Sequence, residues 1–198
     1  MVGQDWRDRV IVGITGASGV IYGERLCQAL TESGKEVHLI LSSSGEQLLK
    51  MELGLDRQDL SGRVHRIYGN DEMTSQLSSG SHRFSSMVVV PSSMRTMAAI
   101  ASGNSDNLIC RVADVCLKER RKLVLVPRET PLGLSHIRSM EELTLAGAVI
   151  LPAMPAFYHR PSEISDMVSF IVGKILDQLE IEHDLFTRWS GAERRQGS

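Results

Sequence analysis

Residues 10–19 read VIVGITGASG, a short apolar run, Val10–Ile14, that breaks into Thr15, Gly16, Ala17, Ser18 and Gly19. The run is rich in Val and Ile and does not alternate with polar residues. That suits a strand covered on both faces, as in a parallel sheet, although a buried helix segment could mimic any single run. The neighbours decide. Similar runs follow at Val37–Leu41, Met87–Val90, Leu123–Val126 and Ala148–Leu151. Between them lie helical patterns. Val20–Glu32 carries Leu26 and Leu30 and stops at Gly34. Ser105–Arg121 offers Ser105 as a cap, then Leu108, Ile109, Val112, Val115 and Cys116 at helical spacing, and a cationic end. Glu163–Glu180, with Ser162 as its cap, is the longest amphipathic stretch. Strand and helix alternating in this way predict an α/β chain, a three-layer, doubly wound, Rossmann-like parallel sheet with right-handed crossovers. A single domain is expected over 9–191. Residues 51–86 lose the period and read as a helical excursion with loops. The polar ends, 1–8 and 192–198, read as flexible tails.

Composition narrows the function classes. The chain has 198 residues, 42% hydrophobic and 23% charged, which excludes a disordered polymer and allows an unstapled core. A formal net charge of −2 argues against a nucleic-acid partner held by bulk electrostatics. No apolar run approaches the roughly 18 residues a membrane helix needs, so no membrane partner is expected. Asp5, Arg7, Asp8 and Arg9 precede the first apolar run, which is too short for a signal-peptide core. Cys27, Cys110 and Cys116 form no C-x-x-C pair and are odd in number, which fits a reducing, cytoplasmic setting. The six histidines show no H-x-x-x-H spacing, so no metal is expected.

Ligands of open α/β sheets bind beyond the carboxyl ends of the strands, where strand order reverses. The segments after the five runs therefore carry the candidates. Gly16–Gly19 is a tight turn entering a helix, whose N–H groups would meet a phosphate or the edge of a flat ring. Its glycines do not spell G-x-G-x-x-G, and Ser42 stands where a dinucleotide site would have an acid to hold the ribose. Ser93, Met94, Arg95 and Thr96 place hydroxyls, amides and a guanidinium at another helix start, an anion pocket suited to a mononucleotide phosphate. Arg128 and Glu129 sit between Pro127 and Pro131, a stiffened loop in which the carboxylate could relay a proton while the arginine holds a negative group. Arg111 and Lys118 lie two turns apart on one helix face and, with Lys174, could form a second cationic site. Tyr158 lies in a proline-punctuated loop and could donate to a phosphate. Each feature alone also reads as a plain turn, capped helix, surface ion pair or snorkelling cation.

Taken in order, these landmarks closely resemble the UbiX-like flavin prenyltransferases, formerly described as phenylacrylic acid decarboxylases. The stretches that carry the resemblance are ITGASG (14–19), SGS (79–81), RVADVCLKER (111–120), LVLVPRETP (123–131), PAFYHRP (155–161) and RW (188–189). The resemblance implies reduced FMN as acceptor, dimethylallyl phosphate as donor and no metal. The product is prenylated FMN, the cofactor of UbiD-like decarboxylases, and the assembly is a homo-oligomer, typically a dodecamer. It implies that Gly16, Ala17, Ser18, Ser42, Ser93, Met94, Arg95, Thr96 and Arg128 hold the flavin. It implies Arg111, Lys118, Arg128, Tyr158 and Lys174 around the donor phosphate, some across a subunit boundary, with Glu52 and Trp189 nearby. Glu129 would be the proton-transfer carboxylate and Ser18 an assisting hydroxyl.

The competing readings are an FMN-dependent cysteine decarboxylase of the same fold, a non-catalytic FMN carrier, and a direct aromatic-acid decarboxylase. The first would carry Pro-x-Ser-Ala-Asn-Thr where this chain has PSSMRT (91–96).

Overall fold

A computed structural model describes residues 5–189. After a 3-10 turn, Trp6–Asp8, the chain forms β1 (Arg9–Ile14), α1 (Val20–Glu32), β2 (Glu36–Leu41) and α2 (Ser43–Leu48), which runs on as a π-helical turn, Leu49–Leu53. There follow α3 (Arg57–Ser61), β3 (Arg66–Gly69), a 3-10 turn (Gln76–Ser78), β4 (Ser86–Ser92), α4 (Met94–Ala101) and α5 (Leu108–Lys118). The chain continues through β5 (Lys122–Pro127), α6 (Leu134–Leu145), β6 (Val149–Ile150) and α7 (Ile164–Gln178). All strand pairs are parallel, in the order β3-β2-β1-β4-β5-β6. Order therefore reverses between β1 and β4. The doubly wound α/β sheet is as the alternation of runs and helical patterns predicts.

The central strands are buried on both faces, as their unbroken apolar runs require. Val10, Val12 and Ile14 face a core with α1 and α7, while Ile11 faces the opposite core with α4, α5 and α6. Gly13 leaves room on that second side for Ile109, whose Cγ1 lies 3.4 Å from where a Cβ would stand.

Four local expectations need correction. The irregular stretch 51–86 contains a strand, β3, whose only buried residue is Tyr68. Such a short, arginine-bearing edge strand carries too little apolar pattern to be seen in sequence. The run Ala148–Leu151 yields only two strand residues. The cap of α5 is Asn107, whose side chain accepts from the Cys110 N–H at 3.0 Å, and α7 starts after Glu163, one residue beyond the expected cap Ser162. Within the segment expected as a tail over 1–8, residues 6–8 form a 3-10 turn capped by Asp5, whose carboxylate accepts from Arg7 N, and residues 1–4 lie outside the described residues. The tail expected at 192–198 lies outside the described residues.

Candidate active site

The reversal of strand order is tied together by one side chain. Thr15, buried at the end of β1, donates its hydroxyl to the Pro91 carbonyl at 2.8 Å and accepts from the Ser93 N–H at 2.7 Å. The turn after β1 and the start of α4 are thereby fixed side by side. They open onto a cleft of about 530 Å³, within the usual range for a ligand pocket. Gly16, Ser42, Ser93, Arg95 and Thr96, all expected from sequence to hold a flavin, line this cleft. Asn70, Asn104, Asp106, Asn107 and Cys110 complete its wall. Sequence reasoning missed them because Asn70 follows the unrecognised β3, and the others belong to the entry of α5.

Local sequence explains the tight packing. A Cβ at Gly16 would stand 2.6 Å from the Ser44 Cβ, and one at Gly45 would stand 2.6 Å from the Ile14 carbonyl oxygen. Ser42 caps α2, accepting from Gly45 N at 3.0 Å, and Ser93 caps α4, accepting from Thr96 N at 3.3 Å. Met94 turns its side chain into the core, so only its backbone can face the cleft, whereas Arg95 is exposed on the rim. Ala17 is buried and Ser18 exposed.

One expectation about the first turn changes. The N–H groups at the start of α1 are not open to a phosphate. Glu52, reaching from the π-helical turn, accepts from Gly19 N at 2.9 Å and Val20 N at 3.2 Å. Its carboxylate already takes the place an anion would have at that helix end.

The remaining candidates fall into separate groups within the chain. Arg128, exposed after β5, donates from Nε to the Ser18 carbonyl at 3.2 Å, two residues along the turn from Gly16. The half-buried Glu129 beside it accepts from Thr130 N at 3.1 Å. Arg111 is committed to the Ser78 carbonyl at 3.0 Å and to Asp114 at 2.8 Å, and Lys118 lies exposed near Gly80. Both belong to α5, on one face of the sheet. Lys174 belongs to α7, on the other. One chain therefore does not bring Arg111, Lys118 and Lys174 into a single cationic site. Tyr158 and Trp189 meet edge-to-face with ring centroids 5.7 Å apart, and Tyr158 also packs against Phe170 at 5.9 Å.

The histidines do cluster, though not at sequence spacing. Ligand atoms of Glu36, His38 and His65 lie within 4.8 Å of one another at the amino ends of the strands, far from the cleft. Arg9 already supplies the cation there, donating from Nε to Glu36 at 2.7 Å, while His38 bonds Glu36 at 2.7 Å and Tyr68 at 3.1 Å. Burial pushes the Cys27 and Cys116 thiols up to about 12 and also raises that of Cys110, so none is poised as a thiolate.

A doubly wound parallel sheet with a hydroxyl-lined, arginine-rimmed cleft at its reversal point defines a mononucleotide-binding flavoprotein, and residues 3–176 match the Flavoprotein family. The chain is 47% identical over 184 residues to flavin prenyltransferase UbiX of Methanothermobacter thermautotrophicus, covering 93% of this chain and 96% of that one. It belongs to the UbiX-like flavin prenyltransferases. The crystal structure of AnUbiX in complex with FMN and dimethylallyl pyrophosphate superposes with a TM-score of 0.92 at 44% identity, covering 94% of this chain and all of that one. A dodecameric FMN-dependent UbiX-like decarboxylase from Escherichia coli O157:H7 superposes with a TM-score of 0.90 at 41% identity, covering 92% of this chain and all of that one. The peptidyl-cysteine decarboxylase EpiD, 18% identical with a TM-score of 0.62, shares the fold alone.

Proposed function

We propose that this chain is a flavin prenyltransferase that attaches the dimethylallyl unit of an allylic phosphate ester to reduced FMN, giving prenylated FMN. The observation that carries this reading is the cleft at the β1–β4 reversal, set in a chain that matches a flavin- and prenyl-donor-bound relative over nearly its whole length.

FMN fits the cleft chemically. Ser42, Ser93, Thr96 and Arg95 offer hydroxyls, a helix start and a guanidinium for its phosphate. The glycines that let the turn after β1 pack closely leave a thin edge for a flat ring system. When bound, reduced FMN supplies the electron-rich nitrogen and carbon that take the five-carbon unit. The chain's residues do the rest. Arg128 and Lys174 stabilise the charge that grows on the phosphate as the allylic C–O bond breaks and the ester oxygen leaves with the electron pair. Tyr158 donates to that phosphate and, with Trp189, walls off water from the allylic carbon. The proton of the alkylated nitrogen leaves with the departing phosphate. As the second bond closes, the Glu129 carboxylate takes up the proton of the ring carbon and, with the Ser18 hydroxyl assisting, a proton is returned to the alkene of the attached unit, so that this step is proton-neutral.

Arg111 and Lys118, remote from Lys174 in one chain, would reach the donor site of a neighbouring copy. A homo-oligomer, a dodecamer like that of the Escherichia coli relative, supplies that neighbour. The exposed Met51, Leu134, Leu145, Met154, Phe157 and Ile164 provide apolar surface for it. The product would pass to a UbiD-like decarboxylase, and the free cysteines fit a cytoplasmic setting. Among the described residues no helix is long and apolar enough to cross a membrane.

Anaerobic incubation with reduced FMN and dimethylallyl phosphate, followed by mass analysis of the flavin, tests the proposal. A flavin heavier by one prenyl unit supports it. Unmodified flavin overturns it.

A further inference from the structure

The segment after α7 turns back and lies along the helix. A Cβ at Gly173 would stand 2.6 Å from the Phe186 ring and 2.7 Å from His183, so glycine is what lets the returning chain lie flat. Phe186 then packs on Phe170 with centroids 4.9 Å apart, and Phe170 on Tyr158. At the far end of this strap Trp189 meets Tyr158 in a T-shaped contact.

One carboxylate latches the strap. Asp177 Oδ1 accepts from Arg188 Nη2 at 2.7 Å and faces His183 Nε2 at 3.2 Å. Its Oδ2 accepts from Lys174 Nζ at 3.1 Å and Arg188 Nη1 at 3.3 Å. Two permanent cations on one anion leave positive charge uncompensated. Lys174 and Arg188 remain 42% and 58% exposed, so both can still turn toward an incoming anion. The arrangement holds the cations in place without cancelling them.

We infer that Asp177 is a positioning residue and Arg188 a further phosphate ligand. Asp177 pins the strap so that Lys174 and Arg188 face the phosphate of the allylic donor while Trp189 is held against Tyr158. The inference rests on the prenyl-transfer reading above and extends it to two residues whose roles that reading leaves open. An arginine beside a lysine suits a phosphate monoester or diphosphate, since the planar fork can bind two oxygens at once.

The test uses the full-length protein with reduced FMN and, in separate arms, dimethylallyl monophosphate and diphosphate. Asp177→Asn is expected to raise KM for the better donor about tenfold, with FMN affinity unchanged within about twofold. Asp177→Glu should recover part of the loss. Arg188→Gln, at an exposed position and therefore safe for folding, should raise KM about fivefold, and the double variant should be no worse than Asp177→Asn alone. Equal KM values for wild type and Arg188→Gln overturn the role of Arg188. An Asp177→Asn protein that loses FMN affinity in step with donor affinity, or fails to fold, reduces Asp177 to a structural latch and overturns its positioning role. Wild-type protein that prenylates no flavin from either donor overturns the underlying reading instead, so the two failures are distinguishable.

Discussion

Arg128 and Ser18 are separated by 110 residues, yet the guanidinium of one donates to the carbonyl of the other at 3.2 Å. The bond ties the loop after β5 to the turn after β1 across the intervening β4. The neighbour of Arg128, the half-buried Glu129, sits at the start of that same loop. Two loops far apart in sequence are thus joined at the carboxyl ends of the strands, beside the point where the sheet reverses its order.

Replacing Arg128 with Lys separates charge from geometry. The ammonium keeps the positive charge but cannot reproduce a bond made through Nε at that angle. Arg128→Lys is expected to weaken FMN binding about tenfold and Arg128→Ala by more, with little change in thermal stability because the side chain is exposed. Fluorescence titration of FMN measures both. Equal affinity in all three proteins would remove Arg128 from the site.

Gly16→Ala adds one methyl where the Ser44 Cβ stands at 2.6 Å. Neither atom belongs to a flexible chain end, so the turn and the start of α2 must separate. The expected cost is about 1–3 kcal/mol of stability together with weakened flavin binding, read by thermal melts with and without FMN. Full stability with wild-type affinity would show that the close approach is dispensable.

Acid should destabilise the fold in two stages. His38 and His82 are pushed below their ordinary value of 6.5 by burial, helped at His82 by Arg9 and Arg121 and opposed at His38 by Glu36. Unfolded imidazoles take up protons below 6.5 that the native ones refuse, so stability is fully present above that pH and declines beneath it. At Glu36 burial pushes the carboxyl up, but hydrogen bonds from Arg9 and His38 outweigh it and hold the group at about 2. Asp177 is held at about 2 in the same way, burial being outweighed by Arg188, Lys174 and His183. These carboxylates contribute stability above their ordinary values of 4.5 and 3.8 and lose it as pH falls toward about 2. The melting temperature should hold between pH 7 and 8, fall gently below about 6.5 and fall more steeply below about 4.5. A melting temperature that rises from pH 7 to pH 5 would contradict these assignments.

Sheet class and most strands were legible because β1, β2, β4 and β5 are buried on both faces and so must be written as unbroken apolar runs. β3 was not, since an edge strand with one buried residue needs no such run. The cleft was legible at Gly16, Ser42 and Ser93–Thr96, where hydroxyls and glycines follow strands. Nothing in local spacing singles out Thr15, though its hydroxyl joins the two halves of the sheet. Glu52 and Asp177 show the opposite limit. Each acts on groups far away or on a neighbouring turn, and nothing in local spacing reveals that Glu52 ends at the Gly19 amide. The opposing placement of Lys118 and Lys174 could not be read either, because periodicity fixes the face of a helix but not the side of the sheet on which the helix lies.

Glu129→Gln probes the chemical step. The side chain keeps its size and can still accept from the Thr130 N–H, the one backbone bond its carboxylate makes, so the loop between Pro127 and Pro131 should hold its shape. FMN affinity should therefore stay near wild type. What disappears is the basic oxygen that takes up the ring-carbon proton when the second bond, carbon to carbon, closes. A positioned general base typically contributes about 10²–10⁴ in rate, so formation of the closed, four-ring product should slow by that order. Singly attached flavin should accumulate before it. Both products have the same mass, so quenched time courses need chromatographic separation and absorbance spectra as well as mass. Released phosphate could serve as the base instead. In that event Glu129→Gln would give the closed product at the wild-type rate, and the proton-transfer role would pass from the protein to the leaving group.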